Sequence, residues 1–171
     1  MDLKSFIREV PDFPQPGVLF RDITPLLQDA QAFRYSIDKL KEACEGVELD
    51  IVVGIESRGF IFAAPLAYNL GLPLVPIRKP GKLPAARMSV EYTLEYGGGQ
   101  LDIHQDGVQA GQSALIVDDL LATGGTAAAA VTLLERLNAR VSALVFLVEL
   151  DGLAGRERLA GYPVTSLVRY P

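Results

Sequence analysis

Apolar residues along this chain follow two different periods. Short β-branched runs read as buried strands at Ile51-Val52-Val53-Gly54-Ile55, Leu74-Val75-Pro76-Ile77, Leu115-Ile116-Val117, Val141 to Leu147 and Pro163 to Val168. Between them apolar positions recur three and four residues apart, which predicts helices over about 29–45 and about 60–70. A third helical pattern puts Ala127, Ala130, Val131, Leu134 and Leu137 on one face, and a short helical segment lies near Gly155 to Leu159. Strands alternating with helices predict an α/β fold with a central, mostly parallel sheet flanked by helices. One stretch breaks the rhythm. Val90 to Tyr96 alternates strictly, then Gly97-Gly98-Gly99 leads to Gln100-Leu101-Asp102-Ile103, which reads as a glycine-turned hairpin standing off the core. At the start, Leu3, Phe6, Ile7 and Val10 predict a short amphipathic helix over about 2–9, stopped by Pro11, Pro14 and Pro16.

Length and charge narrow the classes. The 171 residues, 49% of them hydrophobic, suit one globular domain over 1–171. A net charge of −5 argues against a generally basic nucleic-acid binder. No apolar run approaches the roughly 20 residues of a membrane helix, and Met1-Asp2-Leu3-Lys4 lacks a secretory pattern. The single cysteine, Cys44, lies in a helical pattern and reads as a packed thiol; with the missing signal it fits a cytoplasmic protein. The single histidine, His104, has no second histidine or cysteine near it in sequence and reads as structural.

The chemistry concentrates where the strand at Leu115 ends. Val117-Asp118-Asp119-Leu120-Leu121-Ala122-Thr123-Gly124-Gly125-Thr126 runs from strand into helix. The unpaired first-turn N–H groups of a helix and its dipole favour an anion. Paired Gly124 and Gly125 let the backbone close around a phosphate, and Thr123 and Thr126 add hydroxyls. Asp118 and Asp119 would repel that phosphate unless they read ribose hydroxyls or a hydrated Mg²⁺. A phosphorylated ribose satisfies both halves of the motif. Neither G-x-x-x-x-G-K-[ST] nor G-x-G-x-x-G occurs, so this is not a P-loop or a dinucleotide-binding motif.

A second strand end carries Glu56-Ser57-Arg58-Gly59, another helix start with a guanidinium suited to phosphate oxygens. Arg78-Lys79-Pro80-Gly81-Lys82 adds cations fit to neutralise a polyanion. The Pro-rich segment from Phe13 to Pro25 cannot be regular helix and reads as a stiff rim with exposed backbone groups.

Val117 to Thr126 resembles the 5-phosphoribosyl 1-pyrophosphate signature of the type I phosphoribosyltransferases. With Phe13 to Pro25, the Glu-Ser-Arg-Gly loop, the basic loop and Leu94-Glu95-Tyr96-Gly97, the match extends to near Leu150 and is similar to the adenine phosphoribosyltransferase branch. The resemblance implies the type I fold, with an N-terminal base-binding segment and a flexible hairpin lid. It implies adenine and 5-phosphoribosyl 1-pyrophosphate giving AMP and pyrophosphate in purine salvage, with Mg²⁺ carried by substrate and no metal ligand directly assigned. It assigns Leu19, Phe20 and Arg21 to the base, Phe20 by stacking. Glu56, Ser57, Arg58, Lys79 and Lys82 go to pyrophosphate. Asp118 and Asp119 go to the ribose hydroxyls, and Ala122, Thr123, Gly124, Gly125 and Thr126 to the 5′-phosphate. Glu95 and Arg58 become the catalytic candidates, and Tyr96 a lid residue. Ser57 stands where many members carry Ala. The resemblance also implies a homodimer, in which Arg78 could reach the neighbouring subunit's site. Two rivals are a phosphoribosyltransferase for another base and a non-enzymatic phosphoribosyl-pyrophosphate sensor that regulates transcription. The Phe13–Pro25 segment opposes the first, and the lack of a DNA-binding extension or basic face opposes the second.

Overall fold

The structure, a computed structural model, describes residues 1–93 and 97–171. The chain divides into two compact units, residues 1–39 and 40–171.

The smaller unit begins with a 3₁₀ turn at Leu3–Phe6, followed by strands β1 (Arg8–Pro11) and β2 (Leu19–Asp22) and helix α1 (Thr24–Gln28). The helix expected over about 2–9 is therefore corrected. A helix that short is marginal without packing, whereas an extended Arg8–Pro11 pairs antiparallel with β2, Glu9 opposite Arg21 and Val10 opposite Phe20. The register also sets charges together: Arg8 meets Asp22 at 2.6 Å, and Arg21 pairs with Glu9. Asp22 accepts the Thr24 N–H at 2.9 Å at the mouth of α1. Hydrogen bonds from Thr24, then Arg8, hold its carboxyl down at about 2.

Helix α2 (Ala30–Glu42) starts on Asp29, whose carboxylate accepts the N–H groups of Gln31 and Ala32. The boundary between the units falls within this helix. Past it, Cys44 is buried, its Sγ donates to the Leu40 carbonyl at 3.2 Å, and burial pushes its thiol up to about 11.

The larger unit is built on five parallel strands: β3 (Ile51–Ile55), β4 (Leu74–Ile77), β7 (Ser113–Leu121), β8 (Arg140–Leu150) and β9 (Val164–Tyr170). They lie in the order β4-β3-β7-β8-β9. After β3 the chain moves outward one way, through helix α3 (Gly59–Leu70) to β4; after β7 it moves the other way, through α4 (Gly125–Arg136) to β8. Right-handed crossovers in opposite directions put the two helices on opposite faces. Phe60 and Ala63 of α3 accordingly lie over Gly54. Ala127, Ala130, Val131 and Leu134 of α4 share a core with Ile51, Val53, Ile55 and Ile116. The reversal point between β3 and β7 is the crevice where open α/β sheets bind ligands.

Strands β5 (Arg87–Thr93) and β6 (Gly98–His104) form the expected antiparallel hairpin, from Arg87 opposite His104 to Thr93 opposite Gly98. It does not stand off the core. Val90, Leu101 and Ile103 are buried in the α4-side cluster, so one face of the alternating pattern is paid for by packing rather than left to solvent. Asp102, fully buried, exchanges backbone hydrogen bonds with Arg78 at 2.9 and 2.7 Å, tying β6 to the chain just after β4. His104 closes β6, and its Nε2 accepts the Ala85 N–H at 3.4 Å.

Candidate active site

Two βα loops meet at the reversal point. The acids of the first lie inside its strand: β7 continues through Asp118 and Asp119 to Leu121, and both carboxylates are buried. They stand at the carboxyl end of the strand as expected, and the pairs Leu120–Val148 and Leu121–Glu149 carry the ladder four residues beyond the apolar run Leu115-Ile116-Val117. The turn follows as Ala122–Gly124, with Gly124 left-handed at φ 80° as the N-cap of α4. No side chain caps this helix start, so its first N–H groups are available to a ligand.

The loop after β3 is charged where the first is not. Glu56 and Ser57 are joined by a cis peptide bond, and Gly59 opens α3. A Cβ on Gly59 would stand 2.7 Å from Asp118 Oδ1, so this glycine is what lets the first turn of α3 close on the acid. Arg58 Nε donates to Asp119 Oδ2 at 2.5 Å. Glu56 Oε2 accepts the Lys79 backbone N–H at 2.9 Å and Arg78 Nε at 3.2 Å. These bonds fasten the basic loop to the end of β3.

A cavity of about 350 Å³ opens between the loops, lined by Glu56, Ser57, Arg58, Lys79, Asp118, Asp119 and Ala122 to Thr126. All of these were marked in the sequence as site residues. Tyr92, Leu101, Leu120, Leu121 and Ala127 also line it and were not. Tyr92 and Leu101 come from the hairpin, whose docking on α4 no local pattern announces. Lys82 is exposed on the same loop as Lys79 but does not line the cavity; its carbonyl accepts Arg78 Nη1 at 3.4 Å. Arg78 itself is turned to Glu56. Glu95 and Tyr96 lie outside the described residues. In the smaller unit, Leu19, Phe20 and Arg21 are β2 residues. Leu19 is 43% exposed, the Phe20 ring meets Phe13 edge-on at 5.1 Å, and the Arg21 guanidinium pairs with Glu9.

The electrostatics separate the acids. Burial, then the neighbouring charge of Asp119, raises the Asp118 carboxyl well above the ordinary carboxylate range; Asp118 Oδ1 accepts the Asp119 N–H at 2.8 Å. Burial would raise Glu56 too, but the Lys79 N–H and the Arg78 guanidinium outweigh it and hold that carboxyl low. The cavity thus offers helix N–H groups for phosphates at both loops, the cations Arg58 and Lys79 on the β3 side, and carboxylate oxygens for hydroxyl donors between them. Two carboxylates completed by substrate phosphate oxygens also match the hard, mostly solvated donor set that Mg²⁺ takes.

Comparison with known proteins gives the family. Residues 26–168 match the phosphoribosyl transferase domain family. The adenine phosphoribosyltransferase of Synechococcus sp. is 58% identical over 170 residues, 99% of each chain. Among solved structures, adenine phosphoribosyltransferase from Thermoanaerobacter pseudethanolicus matches with a TM-score of 0.96 at 54% identity, over 99% of this chain and 98% of that one. The Saccharomyces cerevisiae enzyme, solved with an imino-altritol bisphosphate and adenine, matches with a TM-score of 0.91 at 42% identity, over 97% and 96%.

Proposed function

The chain belongs to the adenine phosphoribosyltransferases, and on that premise we propose how its own residues carry the transfer of a phosphoribosyl group to adenine. The reaction takes adenine and 5-phosphoribosyl 1-pyrophosphate to AMP and pyrophosphate. The bond from C1′ to the pyrophosphate oxygen breaks, the bond from C1′ to the purine nitrogen forms, and the purine gives up that nitrogen's proton.

Ala122 to Thr126 hold the 5′-phosphate through helix N–H groups and the Thr123 and Thr126 hydroxyls. Asp118 and Asp119 accept hydrogen bonds from the ribose 2′- and 3′-hydroxyls. Arg58, Lys79 and the Ser57 loop take the pyrophosphate, with Glu56 holding the basic loop in place. Lys82 supports the same charge from the rim. Their role is electrostatic: as C1′ gains positive character, charge accumulates on the departing group where fixed cations await it. Mg²⁺ brought by the diphosphate would add neutralisation at the same oxygens, beside Asp118 and Asp119. Leu19, Phe20 and Arg21 bind adenine, Phe20 by its ring face and the other two by backbone groups. A wrong purine would leave those groups unpaired. Glu95 manages the purine proton, and the hairpin with Tyr96 covers the reacting centre against water.

We place the reaction in the cytoplasm, in keeping with a buried reduced Cys44, and no described helix is long and apolar enough to cross a membrane. The two units act as one phosphoribosyltransferase domain. The working form is a homodimer, for which Ile61 and Tyr68, seven apart on α3, and Leu74 supply exposed apolar surface; light scattering tests this.

The observation that carries the assignment of roles is the convergence of both anion loops and both acids on one cavity. The test is AMP formation from adenine and phosphoribosyl pyrophosphate with Mg²⁺, run beside hypoxanthine, guanine, xanthine and orotate. AMP from adenine alone supports Leu19 to Arg21 as the base reader, and turnover of another base contradicts it.

A further inference from the structure

The residues behind the phosphate loop have no part in the chemistry above, yet they form a closely bonded polar cluster. Leu121, the last residue of β7, is in register with Glu149 of β8. Beyond that pair the chains diverge, one into Ala122–Thr126 and the other into 3₁₀ turns at Asp151–Leu153 and Gly155–Leu159. They meet again at Gly155. A Cβ there would stand 2.3 Å from the Ala122 carbonyl oxygen, 3.0 Å from Leu121 Cδ1 and 3.1 Å from the Gly124 nitrogen. A Cβ on Gly124 would stand 2.4 Å from the Gly155 carbonyl oxygen. Backbone therefore lies directly on backbone, and Gly155 is the rear wall of the phosphate loop.

The next residue anchors that wall. Arg156 Nε donates to Glu149 Oε1 at 2.7 Å, Nη2 to Oε2 at 2.8 Å, and Nη1 to the Val164 carbonyl at 2.8 Å. Glu149 is buried, with Arg169 Nε 3.7 Å from Oε2. Burial alone would raise its carboxyl, but the Arg156 guanidinium foremost, then the Ser166 hydroxyl and Arg169, overrule that and hold it below the ordinary range. A buried ion pair of this kind is a weak source of stability compared with apolar packing, but a bidentate fork is a strong source of geometry.

We infer that Glu149 and Arg156 are positioning residues for the 5′-phosphate: acting through Gly155, they hold the Ala122–Gly124 backbone where its N–H groups meet the phosphate oxygens. The inference rests on the reading of residues 122–126 as the 5′-phosphate site. It leaves the pyrophosphate loop after β3 outside the device, and that separation makes it testable.

Ribose 5-phosphate and pyrophosphate are titrated separately by calorimetry into the full chain and into the Gly155→Ala, Arg156→Lys, Glu149→Gln and Thr126→Ala variants. Ribose 5-phosphate affinity falls about tenfold in Gly155→Ala and about threefold in Arg156→Lys and Glu149→Gln, while pyrophosphate affinity stays within about twofold. If Gly155→Ala does not fold, Arg156→Lys decides by the same criterion, since that side chain is 39% exposed and keeps its charge. Unchanged ribose 5-phosphate binding in the Gly155 and Arg156 variants, or an equal loss for both ligands, overturns the positioning role. The Thr126→Ala variant separates the two levels. Loss there without loss in the others overturns the device alone; no loss there removes the 5′-phosphate reading beneath it.

Discussion

The loops after β7 and β3 are the same kind of object, a strand end feeding a helix start on neighbouring parallel strands, yet they are stabilised in opposite ways. The Ala122–Thr126 loop has no charged side chain and is set by backbone packing of Gly124 on Gly155. The Glu56–Arg58 loop is set by ion pairs, Arg58 to Asp119 and Glu56 to Arg78. The difference fits what each is proposed to hold. The 5′-phosphate stays on the ribose from substrate to product, so a rigid neutral cradle serves it throughout. Pyrophosphate must leave, and side chains that already have carboxylate partners can release it by returning to them. Arg58 resting on Asp119 is the clearest case: on the proposed roles, ligand entry would exchange one internal pair for a hydroxyl on the acid and a phosphate on the guanidinium.

The acids between the loops give the largest expected effect. Asp118→Asn keeps the side chain's shape and lowers kcat/KM about a hundredfold, because the ribose loses a fixed acceptor at the reacting face. Its effect on stability has the opposite sign. A carboxyl raised in the folded state binds its proton more tightly there than in the unfolded chain, so folding loses stability as pH rises from the ordinary carboxylate value through the raised one. Asp118→Asn, which carries no such penalty, melts higher than the wild type at neutral pH; the gap closes as pH falls below the ordinary carboxylate range. Thermal melts across pH read this directly, and a variant that is both inactive and less stable at neutral pH would show the acid to be structural.

Next comes the rigid loop. Gly124→Ala adds a Cβ at φ 80° facing the Gly155 carbonyl, costing about 1–3 kcal/mol of stability by denaturant titration. The same substitution weakens ribose 5-phosphate. An effect confined to pyrophosphate would break the comparison. The smallest effect belongs to the charged rim. Lys79→Gln weakens pyrophosphate about fivefold, and less as salt rises, since Lys79 is exposed and screened; a salt-independent loss would mean that the residue acts through packing.

Much of the larger unit was legible in the chain because its signals are local. The β-branched runs mark all five sheet strands, Ala127 to Leu134 mark the buried face of α4, and a glycine pair between hydroxyls marks the phosphate loop. What was not legible depends on distant partners. No periodicity orders β3 beside β7, which creates the crevice. The helix expected at the N-terminus lost to pairing with β2, a contact set by Glu9 with Arg21 and Arg8 with Asp22 across the proline turn. Gly155 and Arg156 read as an ordinary polar turn in sequence; only the fold sets them behind Gly124. Lys82 looked equivalent to Lys79, but a single bond from the Lys79 N–H to Glu56 turns one toward the cavity and leaves the other at the rim.

The central claim is that one cavity divides two phosphate sites between two loops, and crossed binding measurements on two variants test it most directly. Ribose 5-phosphate and pyrophosphate are each titrated into Thr126→Ala and Arg58→Gln. The account predicts that Thr126→Ala loses about fivefold for ribose 5-phosphate only, and Arg58→Gln about thirtyfold for pyrophosphate only. Equal losses for both ligands in either variant, or the reverse assignment, would contradict it.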